Sequence, residues 1–237
     1  MNTFRNIREL YQIRLEACKG FPEESLLQAE KRLKTTLPET FRKYYLEIGA
    51  DETVNQSYNH LLPPGQLYYK GEYLCFCQEN QDVVTWAIRK GDLDNPNPPV
   101  WGDYGTDTAP DWYLETRTLS DFWLYIAIYN GVLGGLPYNA NTMGSLQGDE
   151  YAIPKEAVAY IEEHLVPLTE MGFEGQRFFA DKAFRVVLSL SVATEGEPQA
   201  TALFVGTAHR ELFDRLISDL EGLGVRWGYS SYDDEDS

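Results

Sequence analysis

Apolar side chains recur every three or four residues through the first fifty residues, a spacing typical of amphipathic helices. The pattern predicts three consecutive helices: over 3–18, from Pro22 to the break at Leu37-Pro38, and over 37–50. The third helix has an aromatic-rich side formed by Phe41, Tyr44, Tyr45 and Ile48. The start of the chain is therefore predicted to be helical.

The hydrophobic period shortens to two after this helical region, which indicates β-strands. Residues 73–89 are predicted to form two strands around a turn at 78–82. Strict alternation in the first strand would place Cys75 and Cys77 on the same face. A two-stranded hairpin is the expected structure.

Residues 93–113 form a long segment rich in proline, aspartate and aromatic residues. Its three closely spaced prolines predict a connection without a central strand. The segment 119–130 is predicted to be a helix with Ser120 as its N-cap. The first 130 residues or so thus form a helix–sheet–helix unit near the common size of a domain.

The second half of the chain has its own alternation of helix and strand patterns. The predicted elements are a loop over 131–149, a helix over 154–165, strands over 182–192 and 200–206, a helix over 208–221 capped by Thr207, and a short strand at 225–229. The end, "YDDEDS", is predicted to be a solvated acidic tail. The pattern is compatible with a separate core and with an extension of the first sheet.

The fold class predicted from these patterns is α+β, with a first domain over 1–135 and a C-terminal α+β extension over 136–237. The first apolar stretch contains four charged residues, and the block "FWLYIAIY" is too short to cross a membrane. The chain has three cysteines, an odd number that does not suggest a disulfide scaffold. We therefore expect a cytoplasmic protein that does not interact with membranes.

The net charge of −17 is unevenly distributed: +2 over 1–50, −10 over 51–150 and −9 over 151–237. A field of this sign repels nucleic acid and anionic membranes and attracts basic partners. Solubility alone is the simpler interpretation of the same charge. We expect no binding to nucleic acid.

Residues with catalytic or metal-binding chemistry are poorly grouped in the sequence. His60, His164 and His209 lie far from one another and from the cysteines, so no zinc motif is present. The Cys75-x-Cys77 pair is interpreted as two small buried residues, although a soft metal is the alternative. Paired carboxylates such as Asp92 with Asp94 suit a hydrolase, but no nucleophile–base pair accompanies them. We expect no enzyme activity, no cofactor and no metal.

Aromatic residues mixed with carboxylates are the most informative feature of residues 92–113. Tyrosine and tryptophan anchor interfaces, and carboxylates select a basic partner. The alternative is that the aromatic side chains cover the edge of the core. We predict a partner surface that contains Asp92, Asp94, Trp101, Asp103, Tyr104, Asp107, Asp111, Trp112 and Tyr113.

The stretch "AEKRLKTTLPETFRKYYLEIG" (29–49) resembles the signature of the SMI1/KNR4, or SUKH, superfamily. The matching positions are Glu30, Leu33, Leu37, Pro38, Tyr44, Tyr45, Leu46 and Gly49. Lys34 and Ile48 depart from it, where glycine and asparagine are usual. The segments "LLPPGQL", "FCQENQDVVTWAI", "DNPNPPV" and "LSDFWLYIA" are similar to later parts of the family pattern, in the same order. The resemblance covers about residues 20–130.

This resemblance implies a curved, mostly antiparallel sheet with helices packed beside it, and a structural role for the aromatic helix at 37–50. Bacterial members are typically immunity proteins that bind a cognate toxin domain, often a nuclease. Fungal relatives act as regulatory or scaffold modules in cell-wall regulation. The resemblance thus implies protein binding: either neutralisation of a toxin, expected to be a basic nuclease, or alternatively non-catalytic regulation.

Overall fold

A computed structural model describes residues 2–106, 108–142, 152–169, 175–195 and 199–234. In this part of the chain seven α-helices and two antiparallel sheets are formed. The helices are α1 (Thr3–Tyr11), α2 (Glu23–Leu33), α3 (Glu39–Glu47), α4 (Glu52–Asn55), α5 (Leu119–Asn130), α6 (Lys155–His164) and α7 (Arg210–Gly222). The strands are β1 (His60–Leu61), β2 (Tyr68–Lys70), β3 (Tyr73–Gln78), β4 (Thr85–Arg89), β5 (Val100–Asp103), β6 (Trp112–Thr116), β7 (Tyr138–Asn141), β8 (Val166–Pro167), β9 (Gln176–Ala180), β10 (Val186–Val192), β11 (Ala200–Thr207) and β12 (Tyr229–Ser230). The predicted α+β class is confirmed.

The chain divides into two compact units. The first unit comprises Arg14–Ala127, and the second comprises Phe4–Ile13 together with Ile128–Ser237. The division falls within α5, and α1 apart from its first residue, Thr3, belongs to the second unit. None of the helices in the described part of the chain is long and apolar enough to cross a membrane.

The first unit contains a six-stranded antiparallel sheet in the order β1-β3-β4-β5-β6, with β2 paired to β3. The predicted hairpin of β3 and β4 is confirmed. The prediction that 93–113 lacks a central strand is wrong, because β5 pairs with both β4 and β6. The prolines end at Pro99, immediately before the strand begins at Val100, so they remove no hydrogen bond from it.

A β-bulge in β3 changes the faces on which its two cysteines lie. Cys75 pairs with Ala87, whereas Cys77 pairs with Trp86, the adjacent residue on β4. Since adjacent strand residues point to opposite faces, the two cysteines lie on opposite faces. The prediction of a shared face is wrong because simple alternation does not register a bulge.

Aromatic rings dominate the core between α3, α5 and the first sheet. Tyr44 stacks on Trp123 with ring centroids 4.0 Å apart, and Phe41 stacks on Tyr45 at 4.3 Å. Phe76 of β3 meets the Trp123 ring edge-on at 5.2 Å. The Tyr44 hydroxyl donates to Asn55 Oδ1 (2.7 Å) and the Tyr45 hydroxyl donates to the carbonyl of Leu62 (2.8 Å), so both buried phenols are satisfied. Helix α3 is therefore a packing helix.

Several helix ends differ from the predicted ones. Helix α2 ends at Leu33, before the predicted break at Leu37-Pro38, because Lys34 adopts a left-handed conformation with φ 54°. Helix α1 ends at Tyr11, because Gln12 adopts a left-handed conformation with φ 53°, and a separate 3₁₀ turn follows at Leu15–Ala17. Thr118, and not Ser120, caps α5: its Oγ1 accepts from the Asp121 N–H at 3.2 Å. The Ser120 N–H donates instead to Asn97 Oδ1 at 2.9 Å.

The second unit has a sheet of its own, in the order β12-β7-β11-β10-β9-β8. Helices α6 and α7 contribute Ile161, Phe213 and Leu220 to a core that also contains Leu188 and Leu203 from the sheet. Because Leu190 pairs with Leu203 and Leu188 with Val205, these apolar residues share one face of the sheet. The structure thus shows a separate core.

Several predictions for this second unit need correction. Strand β7 lies within the predicted loop 131–149, of which residues 143–149 are outside the described part. Thr207 is the last residue of β11 and accepts from the His209 N–H (3.0 Å), while α7 begins at Arg210. The predicted strand at 225–229 is only Tyr229–Ser230.

The beginning of the acidic C-terminal segment is ordered. Residues Ser231–Asp234 form a 3₁₀ turn, and the Tyr232 ring packs edge-on against Phe213 with centroids 5.5 Å apart. The prediction of a solvated tail is therefore wrong for Tyr232, while residues 235–237 lie outside the described part.

Candidate partner-binding site

Asp103 organises the turn that joins β5 to β6. The residue is 3% exposed, and its Oδ1 accepts the backbone N–H groups of Asp111 (2.7 Å) and Gly105 (3.0 Å). Its Oδ2 lies 2.9 Å from Lys70 Nζ. Burial works to raise the pKa of Asp103, but these two N–H groups and the Lys70 ammonium outweigh it and lower the pKa. Asp103 therefore stabilises the β5–β6 turn by accepting hydrogen bonds from the turn backbone.

Exposed aromatic and acidic side chains lie on and beside β6. Tyr104 is 46% exposed and meets Tyr113, 56% exposed, at 6.0 Å in an edge-on arrangement. The Tyr113 hydroxyl donates to Asp111 Oδ2 at 2.9 Å, and Leu114 is 49% exposed. We call Tyr104, Asp111 and Tyr113 the hairpin patch; Leu114 follows Tyr113 in β6 and projects to the opposite face. Phenol rings held beside an exposed carboxylate suit an arginine or lysine side chain of a partner.

The two predicted tryptophans have a different role. Trp112 stacks on Tyr73 with centroids 3.9 Å apart, and Trp101 meets Tyr73 edge-on at 6.3 Å. All three rings are half-buried. For these tryptophans the structure thus favours the alternative interpretation, in which aromatic residues cover the edge of the core.

Glu115 is a buried carboxylate that the sequence analysis missed. It is the extra residue of a β-bulge, since Trp101 pairs with Leu114 and Val100 with Thr116. Its side chain is buried, and its Oε2 accepts from the Tyr104 hydroxyl at 2.8 Å. Burial raises the pKa of Glu115, although the hydrogen bond from Tyr104 opposes this. No strand was predicted at this position, so the sequence carried no signal that Glu115 is buried in a sheet.

A second acidic turn lies at the same end of the sheet. Thr85, which begins β4, pairs with Asp103, which ends β5, so the β3–β4 and β5–β6 turns are neighbours. In the β3–β4 turn, Asp82 and Val83 are exposed, and Glu79 Oε2 accepts from the Gln81 N–H at 2.7 Å. The sequence of this turn, residues 79–84, contains no aromatic residue, so it was not predicted to be part of a partner surface.

The remaining predicted contact residues lie elsewhere. Asp92 and Asp94 follow the other end of β4, beyond Arg89, so the structure does not bring them to the hairpin patch. Asp107 is outside the described residues. Of the predicted surface, the structure brings together Tyr104, Asp111 and Tyr113.

Reactive groups are limited in the part of the chain that the structure describes. Burial raises the pKa of Cys75 to about 11 and also raises the pKa of Cys77, so both thiols are protonated at neutral pH. No group of three or more histidine, cysteine or acidic residues that could hold a metal occurs among the described residues.

No family model, curated protein or solved structure matches the chain.

Proposed function

We propose that the protein is an immunity protein of the SMI1/KNR4 (SUKH) type, which binds a cognate toxin domain in the cytoplasm and neutralises it. The toxin domain is proposed to be a basic nuclease. The hairpin patch carries the proposal, because it exposes two tyrosines and a carboxylate in a chain of net charge −17. No lysine or arginine occurs between Lys90 and Arg117.

Electrostatics supports this pairing. A nuclease active site is basic because its substrate is polyanionic, so an acidic protein is attracted to the same groups. Opposite fields accelerate encounter and select the partner, while aromatic anchors supply the contact energy. The stack of Tyr73 on Trp112, across the two intervening strands β4 and β5, is in keeping with the curved sheet of the SUKH family.

A neutralisation assay tests the proposal. Where a large secreted protein is found to be encoded beside this chain, its C-terminal domain is the toxin candidate. The readout is the nuclease activity of that domain with increasing amounts of the purified protein. We expect inhibition to be complete near a one-to-one ratio. Unchanged nuclease activity at excess protein would contradict the proposal for that pair and favour a regulatory or scaffold module.

A matched pair of charge reversals locates the surface in the same assay. Asp111→Lys places a cation in the hairpin patch, and Asp94→Lys makes the same change in an exposed turn beyond β4. We expect the first variant to require at least about tenfold more protein for half-inhibition and the second to resemble the wild type. Equal effects of both variants would mean that overall charge, and not the patch, governs binding.

A further inference from the structure

Strand β6 is the longest free strand edge among the strands that the structure describes. Of the edge strands, β1, β8 and β12 have two residues each, β2 has three, and β6 has five. Very short edge strands are a common protection against unwanted strand pairing, and β8 also contains Pro167. Strand β6 has neither feature over Trp112–Leu114, and its protective β-bulge at the inward-pointing Glu115 begins only after that stretch.

The register shows which backbone groups of β6 face outward. The Tyr104 N–H donates to the carbonyl of Asp111, and hydrogen-bonded pairs alternate along an antiparallel ladder. The Gly102–Tyr113 pair is therefore hydrogen-bonded between β5 and β6. It follows that the N–H groups of Trp112 and Leu114 point away from β5, toward the open edge.

Side chains along this edge favour a basic partner strand. Tyr113 and Leu114 project to opposite faces and are both about half exposed. Lysine, which commonly protects natural edges, occurs neither in β6 nor in the turn before it, and Asp111 adds negative charge. A second copy of this chain fits the edge poorly, because each copy carries a net charge of −17.

We propose that an extended basic segment of the partner pairs with the outer edge of β6 and adds a seventh strand to the first sheet. Its backbone bonds to the N–H groups of Trp112 and Leu114, and its arginine side chains contact Tyr104, Tyr113 and Asp111. This inference rests on the proposed basic partner and specifies how that partner binds.

The probe is a peptide of about twelve residues that alternates arginine with valine, a length that spans β6. It is titrated into the full-length protein while amide exchange is followed by NMR. We expect one-to-one binding, protection of the Trp112 and Leu114 amides, and an affinity that falls at least about tenfold from low to high salt. A second peptide is N-methylated at alternate residues and so lacks N–H donors along one edge. When that edge faces β6, the peptide should no longer protect the Trp112 and Leu114 amides.

The matched variants are Leu114→Pro and Leu114→Ala. Both remove the leucine side chain, but only proline removes the outward N–H. We expect the proline variant to lose peptide binding and the alanine variant to retain most of it, with folding of each checked by circular dichroism. If the proline variant does not fold, the N-methylated peptide decides the question on the wild-type protein.

Three results would overturn the inference: absence of binding, binding that is indifferent to both Leu114→Pro and N-methylation, or protection of the same amides by self-association without peptide. None of these results depends on a toxin. Conversely, neutralisation of a toxin that survives Leu114→Pro would leave the proposed function intact and remove only the β6 mode of binding.

Discussion

At the scale of single residues, two carboxylates in the β5–β6 region have opposite electrostatic roles. Asp103 accepts two backbone N–H groups and pairs with Lys70, so its charged form is favoured. Glu115 is buried with a phenol as its hydrogen-bond donor, so its charged form is disfavoured. Substitutions at the two positions should therefore show opposite dependence on pH.

Asp103→Asn should destabilise the protein by about 2–4 kcal/mol near neutral pH, because it leaves the Lys70 ammonium without its carboxylate and weakens two hydrogen bonds. Urea denaturation measures the difference, and Asp94→Asn in an exposed turn is the control, expected within about 0.5 kcal/mol of the wild type. Because the folded pKa of Asp103 is lowered, the difference should shrink as pH falls through that pKa. Equal stability of both variants would contradict the structural role.

Glu115→Gln should show a pH dependence of stability, relative to the wild type, opposite in sign to that of Asp103→Asn. A carboxyl whose pKa is raised on folding binds more protons in the folded state, so its contribution to stability falls as pH rises from the ordinary value of 4.5 through the folded pKa. Relative to the wild type, Glu115→Gln should therefore become more stable across that rise. Urea denaturation at several pH values measures this trend. Glu72→Gln, at an exposed position, is the control; a Glu115→Gln trend no larger than that of Glu72→Gln would contradict a raised pKa of Glu115 in the folded protein.

At the scale of secondary-structure elements, the N-cap of α5 is Thr118, whereas the sequence pattern predicted Ser120. Thr118→Ala should cost about 1 kcal/mol, because it removes the oxygen that accepts from the Asp121 N–H. Ser120→Ala should cost less than about 0.5 kcal/mol, since the Ser120 hydroxyl only supplements a backbone bond to Asn97. Thermal and urea unfolding compare the two variants. A larger effect at Ser120 would restore the cap predicted from the sequence.

The elements predicted well are those with strong helical spacing or uninterrupted alternation. Helices α3 and α5 and strands β3, β4 and β11 lie where the pattern placed them. Among the strands that were missed, β5 and β7 are four residues each, one directly after prolines and one within a glycine- and asparagine-rich segment; β9, also missed, is five residues. The prediction used the composition of each segment alone. In the folded protein these segments form strands because neighbouring strands pair with them.

The candidate site was predictable in location but not in detail. The mixture of tyrosine, tryptophan and aspartate identified the hairpin, since that composition is typical of interfaces. Burial then sorted those residues: Tyr104, Asp111 and Tyr113 are exposed, whereas Asp103 is buried and Trp112 is half-buried. That sorting depends on tertiary contacts such as the Lys70 ion pair and the Tyr73 stack, which spacing along the chain does not reveal.

At the scale of the whole molecule, the net charge of −17 is the property that links the hairpin patch to a basic partner. Attraction between opposite fields weakens with ionic strength, because the Debye length falls from about 10 Å at 0.1 M salt to about 3 Å at 1 M. Binding by the proposed function should therefore depend on salt, and a regulatory module with neutral contacts should show little dependence.

The most direct test is calorimetry, at low and at high salt, of the protein with the C-terminal domain of a large secreted protein found to be encoded beside it. The immunity account predicts tight one-to-one binding that weakens with salt, and a loss of affinity in Asp111→Asn that is not seen in Asp94→Asn. Two results would contradict the immunity account. One is absence of binding at both salt concentrations, and the other is an affinity that neither salt nor Asp111→Asn changes.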